Sequence, residues 1–416
     1  MAFNPSNTDR PFFTVKVIPE GKGAVSVDLS DSIVSFEFTD AEKKADLLKL
    51  KINNFDLAFF DDPILRKGNI IEFTFGYPGR TAPPRQCVIQ SVKGGRTLAV
   101  QAHALSMLMH KVKRTRTWEN YMFAEIAAKI AGEYGEQLGV PGGYDKDNVA
   151  IETELDRKVP HRHQASQTDA EFLSRLAKRY GLEFYVDSRG LHFKRRNMKQ
   201  RPVREITWYN GEGDFLDFDI ENDITRKPGA VTLKGIDPLT KKTISHRADN
   251  DSTKRSGLAP VVEIIDPRTG LASLQARHAE EDTNHSTETS AAAIKAQAAG
   301  AFQQTQQTTV KMSFKIIGDP DVAGKRVITF KGLGKRISGN YYVNEVTHTI
   351  DSSGGYITAG KAHTDGHGGY GAQNVASKAA LNDKGVGKQP EQIEKVDPRT
   401  GERHVEFRHS GDEPHT

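Results

Sequence analysis

Apolar and polar positions alternate with a period of two from Phe12 to His103. Val34, Phe36 and Phe38 alternate with Ser35 and Glu37, and Leu48, Leu50 and Ile52 with Lys49 and Lys51. That spacing puts every second side chain on one face of a strand, so these segments predict half-buried strands. Ile71, Phe73 and Phe75 continue the pattern, followed by Val88 to Val92 and by Leu98, Val100 and Ala102. Turn clusters separate them, among them Pro78-Gly79-Arg80 and Lys93-Gly94-Gly95. Short, regularly spaced strands with such punctuation predict a sandwich or small barrel over residues 1–115.

The period changes after about residue 116. Phe123, Ile126, Ala127, Ile130 and Tyr134 recur at helical spacing, with Asn120 placed to cap the helix and Gly139 to Gly143 ending it. A second helix is marked by Thr168-Asp169-Ala170-Glu171, a capping box in which two side chains satisfy each other's exposed amides. Phe172, Leu173, Leu176, Ala177 and Tyr180 form its apolar stripe, and Gly181 its C-cap. Leu182, Phe184 and Val186, a turn at Asp187 to Gly190, and Leu191 and Phe193 then predict a hairpin. Residues 116–205 therefore predict a small α+β unit.

Strand patterning returns over 206–363. Val231 and Leu233 stand opposite Thr232 and Lys234, and Val310, Met312, Phe314 and Ile316 opposite Lys311, Ser313 and Lys315. An alanine-rich stretch, Ser290 to Ala301, interrupts it, and with the residues from about Ala272 it predicts helix broken near Asn284 and His285. The last segment, 364–416, has few large apolar side chains and cannot close a core alone, so it predicts an extended arm that orders on a partner.

Composition narrows the function. The 416 residues carry 58 basic and 54 acidic side chains, a net charge of +4, which implies no nucleic-acid surface by itself. The longest apolar run is four residues, against the roughly 20 of a spanning helix. The start MAFNPSNTDRPFF lacks the signature of an export signal, so Sec-type export is not expected. A single cysteine, Cys87, excludes internal disulfides and thiolate-cage metal sites.

His161 and His163, with Asp169 and Glu171 downstream, have the spacing of metal ligands on a strand, yet the capping box accounts for Glu171 without a metal. His363 and His367 fall in a Gly-rich stretch that predicts a mobile loop. Gly332-Leu333-Gly334 with Gly339 joins two strand patterns and predicts a hairpin turn rather than a phosphate loop. No Gly-x-Ser-x-Gly elbow is present, and Cys87 lies within a strand, so nucleophilic catalysis has no seat. A carboxylate pair far apart in sequence, as in a cell-wall hydrolase, stays open. Two basic runs, Lys111, Lys113, Arg114, Arg116 and Lys194, Arg195, Arg196, Lys199, Arg201, Arg204, flank the α+β unit. They predict a solvated or subunit-facing surface ahead of a DNA contact.

In order along residues 10–362, these motifs resemble the late control gene D family of contractile phage tails, baseplate hub proteins related to the N-terminal part of VgrG spikes. Gly318-Asp319-Pro320-Asp321-Val322-Ala323-Gly324, then Gly332-Leu333-Gly334, then Ser338-Gly339-Asn340-Tyr341-Tyr342-Val343 with Val346 and His348 carry it most strongly. Ser166 to Ala177, leading through Gly181 to Phe184-Tyr185-Val186, is similar to the family's helix and hairpin. Leu65 to Gly68 with Phe75 to Tyr77, and Val231 to Pro238, match more weakly.

The resemblance implies a mainly β fold in which two tube-like β-barrels flank the α+β insertion. It implies a homotrimer whose pseudo-sixfold ring joins a hexameric tail tube to a separate trimeric spike, touches wedge or other hub proteins, and passes DNA as transient cargo. The place implied is the virion tail baseplate, assembled in the host cytoplasm. The alternative is the hub of an injection machine that delivers protein effectors. No enzymatic activity, cofactor or metal is expected. Gly318, Gly324, Gly334 and Gly339 are expected to be turn glycines, and Val405 and Phe407, alternating with Glu406, to form a docking strand in the arm.

Overall fold

The computed structural model describes residues 10–19, 26–42, 44–60, 62–135, 137–138, 141–145, 149, 159–196, 200–208, 215–222, 230–237, 239–249, 263–265, 272–274, 281–288, 290–306, 310–333, 337–351, 355–364, 391–396 and 403–408. The chain divides into two units, Met1–Gly368 and Gly369–Thr416.

The alternating N-terminal segments form β1 (Phe12–Ile18), β2 (Val27–Asp28), β3 (Ile33–Ala41), β4 (Leu47–Asn53), β5 (Ile70–Tyr77), β6 (Arg80–Thr81), β7 (Arg85–Gly94) and β8 (Thr97–Ala104). The insertion is built of β9 (Lys113–Tyr121), α1 (Phe123–Glu133), β10 (Val159–Thr168), α2 (Asp169–Tyr180), β11 (Leu182–Asp187) and β12 (Gly190–Arg195). The next strands are β13 (Arg204–Thr207), β14 (Phe215–Asn222), β15 (Ala230–Ile236), β16 (Thr243–Asp249), β17 (Glu263–Ile265), β18 (Ala272–Leu274) and β19 (Glu281–His285). After α3 (Ala291–Gln306) come β20 (Val310–Ile317), β21 (Val327–Lys331), β22 (Gly339–Asp351) and β23 (Gly355–Thr364). The second unit contains an antiparallel hairpin, β24 (Glu391–Val396) with β25 (Arg403–Arg408).

One 14-stranded sheet runs through both β regions in the order β14-β20-β23-β22-β3-β4-β8-β7-β5-β1-β2, with β13 and β21 paired beside β22 and β6 beside β5. The seam is β22 against β3, from Glu345↔Ala41 to Asp351↔Ser35. No closed barrel is seen among the described residues: the path ends at β14 and β2. Alternation decides which face is buried. Phe36 and Phe38 of β3 pack with Phe73 and Phe75 of β5 at ring-centroid distances of 4.9–5.9 Å. Each is almost fully buried, and such burial contributes about 1.5–3 kcal/mol per ring.

In the insertion, α1 and α2 bury Ile126, Ile130, Phe172 and Leu173 against the β11–β12 hairpin. The expected capping box is present: the Thr168 hydroxyl accepts from the Glu171 N–H at 3.2 Å, and the Glu171 carboxylate from the Thr168 N–H at 2.9 Å. Thr168→Ala is expected to destabilise the fold by about 1 kcal/mol in urea denaturation. A change near zero would show that packing alone holds this helix end.

Three local expectations are corrected. Asn120 does not cap α1; it sits within β9 at φ +56°, two residues before the N-cap Met122, whose N–H donates to Glu125 at 2.8 Å. Helix does not extend back to Ala272, because Ala272–Leu274 is strand and Glu281–His285 gains a parallel ladder on β15 that outweighs weak local helix preference. His363 is not in a mobile loop but in β23, 2% exposed, beside the Tyr342 ring.

Candidate functional site

The segment after β20, Gly318 to Lys325, ties the two β regions together. Gly318 passes under the Tyr356 ring so closely that a Cβ would lie 2.0 Å from it. Asp319 accepts from Arg80 at 2.6 Å and from Arg204 at 2.9 Å, and Asp321 accepts from Arg80 at 2.6 Å. Gly324 lies against Asp40, where a Cβ would stand 2.6 Å from the carboxylate. The Lys325 ammonium donates to Asp40 at 2.5 Å and to Asp46 at 3.3 Å. Arg85 completes the group, donating to Asp40 at 2.9 Å and reaching Asp46 at 3.5 Å.

These four charged side chains are almost wholly removed from water apart from the edge of Arg85, which is 18% exposed. Burial opposes the Asp40 charge, but Lys325 and Arg85 overcome it and hold its pKa well below the ordinary carboxylate range. Asp46 shares the same cations at longer range, and burial together with the Asp40 charge raises it to about 6. Parity is the sequence signal for Asp40: it shares the inward face of β3 with Phe36 and Phe38, where a carboxylate needs a partner.

The opposite face of the sheet is polar. Across β14, β20, β23, β22, β3 and β4 it presents the carboxylates Asp217, Asp219, Glu221, Glu345, Asp351 and Glu37 and the lysines Lys311, Lys315, Lys361, Lys49 and Lys51. Six carboxylates stand against five ammonium groups, close to balance. Lys49 pairs with Glu37 at 2.7 Å, and the hydroxyls of Thr39 and Thr347 meet across the seam at 3.0 Å. Part of this face floors a cleft of about 1120 Å³ roofed by α2 and β11. The insertion is fastened beside the cleft by the Tyr342 hydroxyl donating to Glu183 at 2.9 Å and by an Arg196–Glu42 ion pair.

Of the glycines singled out in the sequence, Gly318 and Gly324 have no positive φ and are sites of close approach, while Gly339 opens β22 at φ +155°. Gly332, at φ +77°, turns the β21–β22 hairpin, and Gly334 lies outside the described residues. In β25, Val405 pairs with Glu394 and Phe407 with Gln392. His161 is exposed 3.8 Å from Glu119, and His163 meets Thr117 at 3.0 Å. Asp169 instead joins Arg116, Gln164 and Tyr134 in the insertion core, so the structure does not assemble a histidine–carboxylate site. No cluster of metal-ligating side chains occurs among the described residues.

Four of the ten side chains in the basic runs are paired within the chain, while Lys111, Lys113 and Arg201 are exposed. Arg114 and Arg116 pair with Glu133, Arg196 with Glu42 and Arg204 with Asp319. Lys199 and His367 lie outside the described residues. Cys87 is buried in β7, and burial raises its thiol well above the ordinary value, which disfavours a reactive thiolate.

This architecture is shared with solved tail proteins. A tail protein from Neisseria meningitidis MC58 superposes with a TM-score of 0.58 at 14% identity, covering 85% of this chain and 97% of that one. The 43 kDa tail protein of prophage MuSo2 from Shewanella oneidensis gives 0.58 at 12%, covering 85% and 98%. Prophage tail protein gp18 from Listeria monocytogenes EGD-e gives 0.51 at 10%, covering 89% and 98%. The fold is thus a tail-protein fold. By sequence the chain belongs to the family described as the Alg8 N-terminal domain, whose model matches residues 53–352. No curated protein matches it.

Proposed function

We propose that the chain is a structural hub of a contractile phage-tail baseplate, akin to the late control gene D proteins, in which three copies form a ring joining tail tube to spike. The observation that carries this reading is the continuous polar face crossing the β22–β3 seam. Its nearly balanced charge, with one carboxylate in excess, suits a channel wall, since a cationic wall would hold DNA through its phosphates while this one lets it pass. Two tube-like barrels per chain are part of the proposal, as is location in the virion tail after assembly in the host cytoplasm. Open sheet edges at β14 and β2 favour a trimer, because subunit pairing covers such edges. The role is mechanical and includes no enzymatic step; release of fragments from purified cell wall by the pure protein would contradict that part. The test of the whole is an electron-microscopic reconstruction of the assembled particle. Three copies between tube and spike are expected, and any other copy number or position defeats the reading.

In the same proposal the C-terminal unit is a docking arm for the spike or a neighbouring hub chain. A lone two-stranded hairpin is marginal in water, so β24–β25 gains stability from a partner. Truncation after Asp365 is expected to leave the unfolding transition of the first unit unchanged while reducing spike attachment. A truncated chain that still builds complete, infectious particles would refute the arm's role.

A further inference from the structure

Ten large apolar side chains are exposed among the described residues, and six of them gather at one end of the long sheet. Phe55, Leu57 and Phe60 follow the end of β4, Val34 lies at the start of β3, Leu216 at the start of β14 and Ile317 at the end of β20. The ladders set these strand ends side by side. Ile33 faces Ile52, Ser35 faces Asp351, Asp351 faces Gly355, Ile317 faces Ile357 and Phe215 faces Ile316. Apolar side chains scattered singly over a surface need no explanation, but six along one rim make a patch.

The backbone is irregular where it presents them. Val34 is left over between Ile33 and Ser35, where the register with β4 shifts, and Leu216 in the same way between Phe215 and Asp217 against β20. Bulges of this kind turn a side chain out of the alternation. Leu57 has φ +62°, a left-handed conformation that leucine adopts only at a cost. The loop is nonetheless held firmly. Asn54, fully buried, donates to the Gly95 carbonyl at 3.0 Å and accepts from the Phe59 N–H at 3.0 Å. Asp56 accepts from the Ala58 N–H at 3.3 Å and Asp62 from the Ile64 N–H at 2.9 Å. Phe55, Leu57 and Phe60 thus stand 73, 50 and 54% exposed on a fixed support, with Arg96 over the Phe55 ring at 5.4 Å. The strain shows apolar surface rather than hiding it.

Charge and the course of the chain decide what covers the rim. Asp56, Asp61 and Asp62 in the loop sequence are matched by Arg66, Lys67 and Arg96, so the rim lacks the cationic excess that lipid headgroups or phosphates select. Its apolar side chains call for a protein face with apolar sockets. In the hub reading, on which this inference rests, the polar face of the sheet lines a channel, so the two ends of its strands turn toward tube and spike. The chain leaves β23 at Thr364, opposite Val310 and therefore at the other end of the strands. It continues there into the unit whose proposed partner is the spike or a neighbouring hub chain, which leaves the apolar end for the tube. We propose that this apolar rim, led by Phe55, Leu57 and Phe60, is the surface on which the last ring of the tail tube seats.

The test is made on full-length chain carrying Phe55→Ser, Leu57→Asn and Phe60→Ser together. Asparagine accepts a positive φ more readily than leucine, and the three side chains are exposed, so the unfolding temperature is expected to hold or rise. In particles assembled with this variant, the hub should keep its spike while tube attachment falls by about tenfold or more. Variant hubs that carry tubes as often as the wild type overturn the rim and leave the hub reading intact. A reconstruction of the wild-type particle needs no variant, and there Phe55, Leu57 and Phe60 are expected against the tube subunit. A chain placed between tube and spike with these residues turned to the spike or to solvent defeats the rim alone. A chain placed elsewhere in the particle defeats the hub reading, and the rim with it.

Discussion

Replacing Asp40 by Ala is expected to destabilise the protein by about 3–5 kcal/mol, the range for removing one partner of a buried ion pair. Its side chain is 2% exposed, and its loss leaves Lys325, 7% exposed, and Arg85 with only the longer contacts to Asp46. Lys325 is too deeply buried to turn to water, so the penalty is that of a charge left buried rather than of one lost contact. Asp40→Asn, which keeps the shape and one acceptor, should cost less than the Ala variant. Urea denaturation of both variants at neutral pH checks this, and a loss below about 1 kcal/mol for Asp40→Ala would show that the cluster relaxes into solvent. Asp40 is also one of the carboxylates whose protonation weakens the fold in acid. With its pKa held below the ordinary value, its contribution is present above about 4 and fades as pH falls.

Local signals in the sequence are legible where the physics is local. Thr168 and Glu171 specify their own helix end, and Phe36, Phe38, Leu48 and Leu50 announce the buried face of their strands. What alternation cannot tell is which strand pairs with which. The β22–β3 ladder joins residues such as Thr347 and Thr39, and nothing near either one in sequence names the other. Two independent β regions are therefore the natural reading of the pattern, although one sheet crosses both. Propensity fails for a related reason at Glu281–His285, where a ladder to β15 decides the outcome. The ionic joint is half legible: parity exposes Asp40 as an inward carboxylate, but Lys325 stands in a turn-rich segment with no periodicity to place it. The basic runs are legible only in part, because charge in a sequence does not reveal that Glu133, Glu42 and Asp319 already answer Arg114, Arg196 and Arg204, while Lys111, Lys113 and Arg201 stay exposed.

Gly318 is expected to be sensitive to substitution for a reason other than backbone freedom. It has no positive φ, so alanine meets no backbone penalty there; the obstacle is the Tyr356 ring, whose Cγ would lie 2.0 Å from the new Cβ. The ring has nowhere to go. It is 5% exposed, its hydroxyl lies 2.9 Å from His348 Nδ1, and it contacts Tyr77 and Phe75 of β5 at centroid distances of 5.5 and 6.2 Å. The Gly318 N–H also donates to the Tyr356 carbonyl at 2.8 Å, which fixes the two backbones together. Overpacking of this kind costs about 1–3 kcal/mol, and here the strain is delivered to the contact between β23 and β5. A double-mutant cycle separates this from a general glycine effect. Tyr356→Ala alone should cost about 3–5 kcal/mol by leaving a cavity, and Gly318→Ala added to it should then cost close to nothing. If Gly318→Ala costs as much without the ring as with it, the close approach is not what requires glycine at this position.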